Sequence, residues 1–253
     1  MRRFVLPPDC TGEGLYTLTG KPFHHICRVR RSKAGARLDA VDGQGRHFLV
    51  VFRDIGPRSC RVELVAGDVR PAEEAGPRIV LFQGLPKGRK LDQIIRQCTE
   101  AGVAEIVPFT SRNTVAESIT GARAEAKLGR WTSIAREAVQ QSGRPTVPII
   151  RAPIDFSEIP AVGGIDELGL VFHQDPLEYE SLHGYLKSSP SKIAVVIGGE
   201  GGFTPSEVDI MVRDRGYRLG YLGPTVLRTE TAAIYVVAAV QTILREIEAW
   251  NKK

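Results

Sequence analysis

The side chains best suited to chemistry lie in two glycine-rich segments near the C-terminal end of the chain. Glu200 lies within Gly198-Gly199-Glu200-Gly201-Gly202, and Arg228 and Glu230 lie within the segment Leu222 to Ala232. A carboxylate acts as a general base when burial raises its pKa, and a guanidinium presents a fixed planar fork of donors. These residues predict a base paired with a cation, unless Glu200 only braces its loop and Glu230 only complements its helix dipole.

The elements around these segments predict a ligand crevice. Each segment follows a short apolar run rich in β-branched residues and precedes a predicted helix. Backbone groups at the carboxyl ends of parallel strands face a crevice where small ligands bind. No Gly-x-x-x-x-Gly-Lys-Ser/Thr segment occurs in the chain, so a phosphate loop of that kind is excluded. We expect Gly198, Gly199, Gly201 and Gly202 to let the backbone approach a ligand and to adopt positive φ.

Size and composition indicate a globular protein of two unequal domains. The chain has 253 residues, of which 42% are hydrophobic, enough for a core that needs no disulfide or metal. Its cysteines are single and scattered, without the paired spacing of a zinc site: Cys10, Cys27, Cys60 and Cys98. We therefore expect reduced thiols, no metal and a cytoplasmic location. The apolar run Ala232 to Val240 is too short to span a bilayer, so no membrane association is expected.

Positive charge is concentrated in the N-terminal part of the chain. Residues 1–70 hold 13 Lys/Arg against 7 Asp/Glu, whereas residues 71–253 hold 21 against 22. If these charges share a face, they attract phosphates regardless of base sequence. An ordinary solvated basic surface is the alternative.

Residues 1–70 predict a small β-barrel with one helix. Three runs alternate between apolar and polar residues and so indicate strands: Arg37 to Val41, His47 to Phe52 and Cys60 to Val65. Asp42-Gly43 is a hairpin signal. Between Gly20 and Arg31, a proline near the start and basic residues at the end indicate a short helix.

Residues 77–253 predict an α/β domain, after a linker at residues 71–76. Apolar strand patterns alternate with helical ones, which implies a parallel sheet. The strands are expected at Ile79 to Phe82, Ala104 to Pro108, Val147 to Ile150, Leu168 to Phe172, Ile193 to Ile197 and Leu219 to Leu222. The last helix, about Glu230 to Trp250, is apolar on nearly every side, so it is expected to be buried twice, against its own sheet and against a second subunit.

The two glycine-rich segments resemble the RsmE family of ribosomal RNA uridine-N3 methyltransferases, in the SPOUT superfamily. In that family they are spelled close to I-G-P-E-G-G and L-G-x-R-I-L-R-x-E-T-A; here Gly199 replaces the proline and Thr225-Val226 replace Arg-Ile. Three further segments match in the same order: Lys87 to Lys90, Glu100 to Pro108 and Arg136 to Arg144. The resemblance covers roughly the last two thirds of the chain and is weaker in residues 1–70.

The resemblance implies a knotted parallel-sheet SPOUT domain, a PUA-like N-terminal domain and S-adenosylmethionine (AdoMet) as cofactor. The candidate catalytic residues are Arg228 as the cation and Glu200 or Glu230 as the base, and the resemblance does not decide between the two carboxylates. The residues expected to bind the cofactor are Phe172, His173, Gly198, Gly199, Glu200, Gly201, Leu222, Gly223, Val226, Leu227, Thr229 and Ala232. Those expected to contact RNA are Arg28, Arg30, Arg31, Lys33, Lys87, Arg89 and Arg112.

The expected activity is AdoMet-dependent methylation of N3 of a specific uridine in 16S ribosomal RNA of the small subunit, by a homodimer that pairs through its C-terminal helix. Two alternatives stay open. One is a SPOUT methyltransferase that acts on another RNA target, such as a 2′-hydroxyl or another base. The other is a non-catalytic RNA-binding factor in ribosome assembly.

Overall fold

The computed structural model describes residues 4–29, 31–42, 46–66, 76–114, 121–174 and 179–251. By its internal contacts the chain divides into two compact units. Unit 1 comprises Met1–Ala75 with Val139–Val147, and unit 2 comprises Gly76–Ala138 with Pro148–Lys253. Gly43 of the predicted hairpin and the predicted linker up to residue 75 lie outside the described residues.

Unit 1 is built on one five-stranded sheet. Its strands are β1 (Phe4–Val5), β2 (Gly14–Thr19), β3 (Arg37–Val41), β4 (His47–Ile55) and β5 (Ser59–Ala66). They lie in the order β1-β3-β4-β5-β2, antiparallel except for the β1–β3 pair. The predicted helix is present, but only its first part is α-helical. It begins as α1 (Gly20–Phe23) and continues as a π-helical turn, His24–Val29.

The core of unit 1 follows the alternation of its strands. Phe48, Val50 and Phe52 of β4 are buried, while the residues between them are more exposed. Phe23 and Ile26 of the helical segment complete the same core. Val139 packs with Val5 and Val41, which explains why residues 139–147 belong to unit 1.

Unit 2 is built on a seven-stranded parallel sheet. Its strands are β6 (Arg78–Gly84), β7 (Glu105–Thr110), β8 (Ile149–Ile150), β9 (Ile154–Asp155), β10 (Glu167–Phe172), β11 (Lys192–Ile197) and β12 (Arg218–Gly220). The order is β12-β10-β11-β6-β7-β8, with β9 also paired to β7. The near-continuous apolar runs of β6, β10 and β11 are buried on both faces, as a parallel sheet requires. The expected α/β class is confirmed, while the knot remains a prediction.

The helices of unit 2 are α2 (Lys90–Ala101), α3 (Gly121–Ser142, whose last residues belong to unit 1), α4 (Leu182–Leu186), α5 (Pro205–Asp209) and α6 (Thr229–Asn251). In α2 the predicted face of Leu91, Ile94, Ile95 and Cys98 is buried, and Gly102 ends the helix at φ 107°. A capping box formed by Thr204 and Glu207 begins α5.

Helix α6 is buried on one side only within the single chain. Ala233, Val236, Val237 and Val240 are fully buried, whereas Tyr235 on the other side is 54% exposed. Within the chain α6 packs mainly on α2 and also contacts β11 and β6, and its expected second burial, against another subunit, stays a prediction. No helix among the described residues is long and apolar enough to cross a bilayer.

Candidate active site

Three loops of unit 2 form a crevice at the carboxyl ends of neighbouring strands. Phe172, the last residue of β10, pairs in register with Ile197 at the end of β11 and with Gly220 at the end of β12. The loops that follow these residues therefore leave the same edge of the sheet. They enclose a cavity of about 370 Å³, within the usual size range of small-molecule sites.

All twelve residues predicted to bind the cofactor line this cavity, together with Arg228. Residues that the sequence did not single out for this role line it as well: Lys90, Gln174, Ile197, Gly202, Phe203 and Thr225. Phe172, Ile197 and Phe203 are buried and give part of the wall an apolar surface. Glu230 is not among the lining residues. Of the two predicted catalytic carboxylates, Glu200 therefore lies in the cavity wall and Glu230 does not.

The glycines of the crevice act in different ways. Positive φ was expected at Gly198, Gly199, Gly201 and Gly202, but only Gly202 adopts it, at 60°, so the prediction is wrong for the other three. Gly201 is needed for close packing instead, because a Cβ there would lie 2.8 Å from the carbonyl oxygen of Asn113. In the other loop Gly223 has φ 103°. A Cβ at Gly202 or Gly223 would meet no atom within 4 Å, so the backbone there borders open space.

Glu200 is held by groups from the segment before α2. Its carboxylate accepts hydrogen bonds from the Lys87 backbone N–H at 3.1 Å and from the Lys90 ammonium at 2.9 Å. Partial burial alone raises the pKa of Glu200, but the hydrogen bonds from Lys90 and Lys87 outweigh it and the net pKa is lowered. A general base needs a raised pKa, so this environment favours a bracing role for Glu200.

Lys90 also approaches the second carboxylate. Its ammonium lies 3.7 Å from Glu230 Oε2, an atom that is buried without a hydrogen-bond partner among the described residues. The hydrogen bond with Glu200 is the main reason why the pKa of Lys90 is raised, so Lys90 is cationic at neutral pH. Arg228 lies beside this cluster with an exposed side chain, and no carboxylate of the described residues forms an ion pair with it. Among the described residues that line the cavity, Lys90 is therefore engaged by acids, whereas Arg228 is available to a ligand.

Comparison with known proteins identifies the family. Residues 73–241 match the RNA methyltransferase domain family, and residues 18–65 match the RNA methyltransferase PUA domain. Ribosomal RNA small subunit methyltransferase E of Bacillus subtilis is 30% identical over 232 residues, which cover 89% of each chain. The chain belongs to the ribosomal RNA small subunit methyltransferase E family. The family resemblance drawn from the motifs is therefore confirmed.

Solved structures of the same fold include members with a bound cofactor. The family's enzyme from Neisseria gonorrhoeae, bound to S-adenosyl methionine, is 26% identical with a TM-score of 0.80, and the match covers 96% of this chain and 98% of that one. A putative methyltransferase from Legionella pneumophila, also in complex with the cofactor, is 26% identical with a TM-score of 0.79, covering 95% and 97%.

In this member of the methyltransferase E family, the loop after β7 supports the first glycine-rich loop. Asn113 Nδ2 donates to the Gly201 carbonyl oxygen at 3.0 Å. The Arg112 backbone N–H donates to Glu207 Oε1 at 2.9 Å, and Glu207 also caps α5. Glu207 is 6% exposed, so this bracing is internal. The Arg112 side chain is exposed.

The basic residues predicted to contact RNA are exposed within each unit. In unit 1 they are Arg28, Arg31 and Lys33; Arg30 lies outside the described residues. Arg28 donates to the Pro57 carbonyl oxygen at 3.0 Å, so its guanidinium is not solely complementing the helix end. In unit 2 they are Lys87, Arg89 and Arg112. Their contact with RNA stays a prediction.

A larger cavity, about 470 Å³, lies on one face of the sheet, and its lining includes Val80, Phe82, Val107 and Ala194. Its charged residues are paired with each other: Arg151 Nε lies 2.6 Å from Glu105, and Lys192 lies 2.8 Å from Glu167. By volume alone this cavity would be the better candidate for the ligand site, but the strand-end loops do not converge on it. Among the described residues, no group of three His, Cys, Asp or Glu side chains is placed to hold a metal ion.

Proposed function

We propose that the chain transfers a methyl group from AdoMet to N3 of a specific uridine in 16S ribosomal RNA of the small subunit. The observation that carries the proposal is the crevice itself, where three strand-end loops meet and the exposed Arg228 borders a cavity of about 370 Å³. The relatives with bound cofactor support the same ligand. A ribosomal substrate implies a cytoplasmic protein.

The crevice residues fit AdoMet. Apolar walls at Phe172, Ile197 and Phe203 suit an adenine ring, and the backbone at Gly202 and Gly223 borders open space that side chains would otherwise fill. When bound, AdoMet supplies an electrophilic methyl group on a sulfonium. The protein's own contribution is to hold the acceptor nitrogen in line with that methyl group and to exclude water.

Methylation at N3 requires removal of the imide proton, because N3 of uracil carries one. The planar donor fork of Arg228 matches the two carbonyl oxygens that flank N3 and stabilises the negative charge that develops there. For N3 to accept the methyl group that AdoMet would supply, the imide proton would pass to a base of the protein. Neither candidate carboxylate meets both requirements of a base: Glu200 lines the cavity but its lowered pKa weakens it as a proton acceptor, and Glu230 does not line the cavity.

We further propose that two copies of the chain pair through α6. In the single chain, one face of this helix is open and includes the side chains of Thr231, Tyr235, Ala238 and Thr242. These positions are spaced by three or four residues and carry no charge, which suits a helix face that packs on a partner. A second copy of the chain offers a matching face.

The test is methyl transfer from labelled AdoMet to small ribosomal subunits that lack the modification, followed by digestion to nucleosides. Label in 3-methyluridine supports the proposal. Label in a 2′-O-methylated nucleoside or another base keeps the cofactor but rejects the uridine-N3 assignment. AdoMet binding without label in any ribosomal RNA would favour the non-catalytic assembly factor.

A further inference from the structure

Gln83 is a buried amide behind the crevice that the proposed chemistry does not use. It is the next-to-last residue of β6, follows the apolar run Ile79 to Phe82, and is 0% exposed. It pairs in register with Ile197 at the end of β11. A buried amide is costly unless its donors and acceptors are paired. The Gln83 Nε2 is paired, whereas its Oε1 is buried without a hydrogen-bond partner among the described residues, so the donated hydrogen bonds indicate why an amide stands there.

The hydrogen bonds of Gln83 lead through Thr229 to the Gly198 loop. Its Nε2 donates to Thr229 Oγ1 at 2.9 Å and to the Gly84 carbonyl oxygen at 3.0 Å, and it lies 3.5 Å from the Gly198 carbonyl oxygen. Thr229 Oγ1 in turn donates to the Gly198 carbonyl oxygen at 2.6 Å. A hydroxyl has one proton, so Thr229 must accept from Gln83 in order to donate to Gly198.

This chain of hydrogen bonds joins the two walls of the crevice. Gly198 begins the first glycine-rich loop, and Thr229 is the first residue of α6, directly after Arg228. Close packing strengthens the same junction, because a Cβ on Gly84 would lie 2.3 Å from the backbone nitrogen of Gly199. The end of β6 therefore fixes both the loop and the start of the helix.

We infer that Gln83 is a positioning residue for the cofactor crevice. Through Thr229 it holds the Gly198 loop and the first turn of α6 at the separation that the ligand requires. The identity of that ligand as AdoMet rests on the proposed function, whereas the junction itself does not depend on it.

The first measurement is AdoMet binding by calorimetry to Gln83→Met, which keeps the approximate shape but donates no hydrogen bond. We expect the Kd to rise about tenfold, the effect of one lost buried hydrogen bond. Thr229→Val removes the hydroxyl that accepts from Gln83, and because Thr229 also lines the cavity, its Kd is expected to rise at least as much. The double variant Gln83→Met/Thr229→Val is expected to lose no more than the worse single variant, because the two groups act as one unit.

The matched control is Tyr217→Phe. Tyr217 is 1% exposed and its hydroxyl donates to the Pro160 carbonyl oxygen at 3.1 Å, at the larger cavity. This variant also loses one buried hydrogen bond, yet we expect its AdoMet Kd to stay at the wild-type value. General loss of stability would affect the control and the Gln83 variant alike.

A second measurement does not need the cofactor. Amide hydrogen exchange of the unliganded protein is expected to be faster for Gly199 to Gly202 in Gln83→Met and Thr229→Val than in the wild type or Tyr217→Phe. Unchanged exchange together with additive losses in the double variant would overturn the inference. If the wild type fails to bind AdoMet, the proposed function falls, and the exchange comparison still decides the role of Gln83.

Discussion

The ammonium group of Lys90 lies 2.9 Å from Glu200 Oε1, across 110 residues of sequence. This contact ties the start of α2 to the first glycine-rich loop. It also helps to lower the pKa of Glu200 despite partial burial, so the carboxylate keeps its negative charge to lower pH.

We predict that Lys90→Met raises the pKa of Glu200. Because the folded-state pKa is lowered, the contact contributes stability above the ordinary glutamate pKa of 4.5 and loses it as pH falls through the folded value. The variant should therefore show a smaller loss of stability on acidification. Carbon-13 NMR titration of the Glu200 carboxyl measures the pKa, with Lys192→Met, which removes the Glu167 pair instead, as the control. An unmoved Glu200 titration would contradict the assignment.

Arg228→Ala should lower kcat by about 100- to 1,000-fold, the typical loss when one donor to a developing negative charge is removed. AdoMet affinity should stay close to that of the wild type, because the guanidinium is proposed to contact the uracil ring and not the cofactor. Arg213→Ala is a suitable control, since Arg213 is a largely exposed arginine whose described partner is Asp209. Steady-state kinetics with ribosomal subunits and calorimetry with AdoMet separate the two effects. Undiminished turnover in Arg228→Ala would remove this residue from the mechanism.

Gly84→Ala should destabilise the protein by about 1–3 kcal/mol, as overpacking of a close contact does. The added Cβ would lie 2.3 Å from the Gly199 backbone nitrogen, so the loop must move and AdoMet affinity must fall. Gly129→Ala in α3 is the matched control, because a Cβ there meets no atom within 4 Å. It should stabilise the protein by about 0.5–1 kcal/mol through the helix preference of alanine. Urea denaturation measures the stability of each variant, and equal stabilities of Gly84→Ala and Gly129→Ala would refute the packing argument.

Tyr235→Glu should shift the protein from dimer to monomer. Tyr235 is 54% exposed at the centre of the open α6 face, and a charge there cannot be buried without a partner. Sedimentation equilibrium measures the change, and Leu15→Glu, which alters a 71% exposed leucine of unit 1, serves as control. A wild type that is monomeric at all concentrations would reject the dimer.

Local patterns predicted much of the fold. The apolar spacing of Leu91, Ile94, Ile95 and Cys98 gave the buried face of α2, and Gly102 gave its end. The short apolar runs before residues 173, 198 and 223 placed the crevice loops, because strand ends can be read from hydropathy and glycine. The unit assignment of residues 139–147 could not be read in this way, since it depends on contacts with Val5 and Val41.

The hydrogen bonds that support the site from inside the protein could not be predicted from the sequence. Gln83 and Thr229 are 146 residues apart, and nothing local indicates that they share a hydrogen bond. The available signal was a single amide at the end of an otherwise apolar strand, directly before Gly84. Glycine spacing likewise did not reveal which loop residues have positive φ, because close packing alone explains Gly201.

The most direct test of the account is to identify the bond that is made. Small ribosomal subunits that lack the modification, with uridine labelled with nitrogen-15 at N3, are incubated with the protein and AdoMet carrying a carbon-13 methyl group. We predict a one-bond carbon–nitrogen coupling in the NMR spectrum of the isolated product nucleoside. A transferred carbon-13 methyl group without this coupling would contradict methylation at N3.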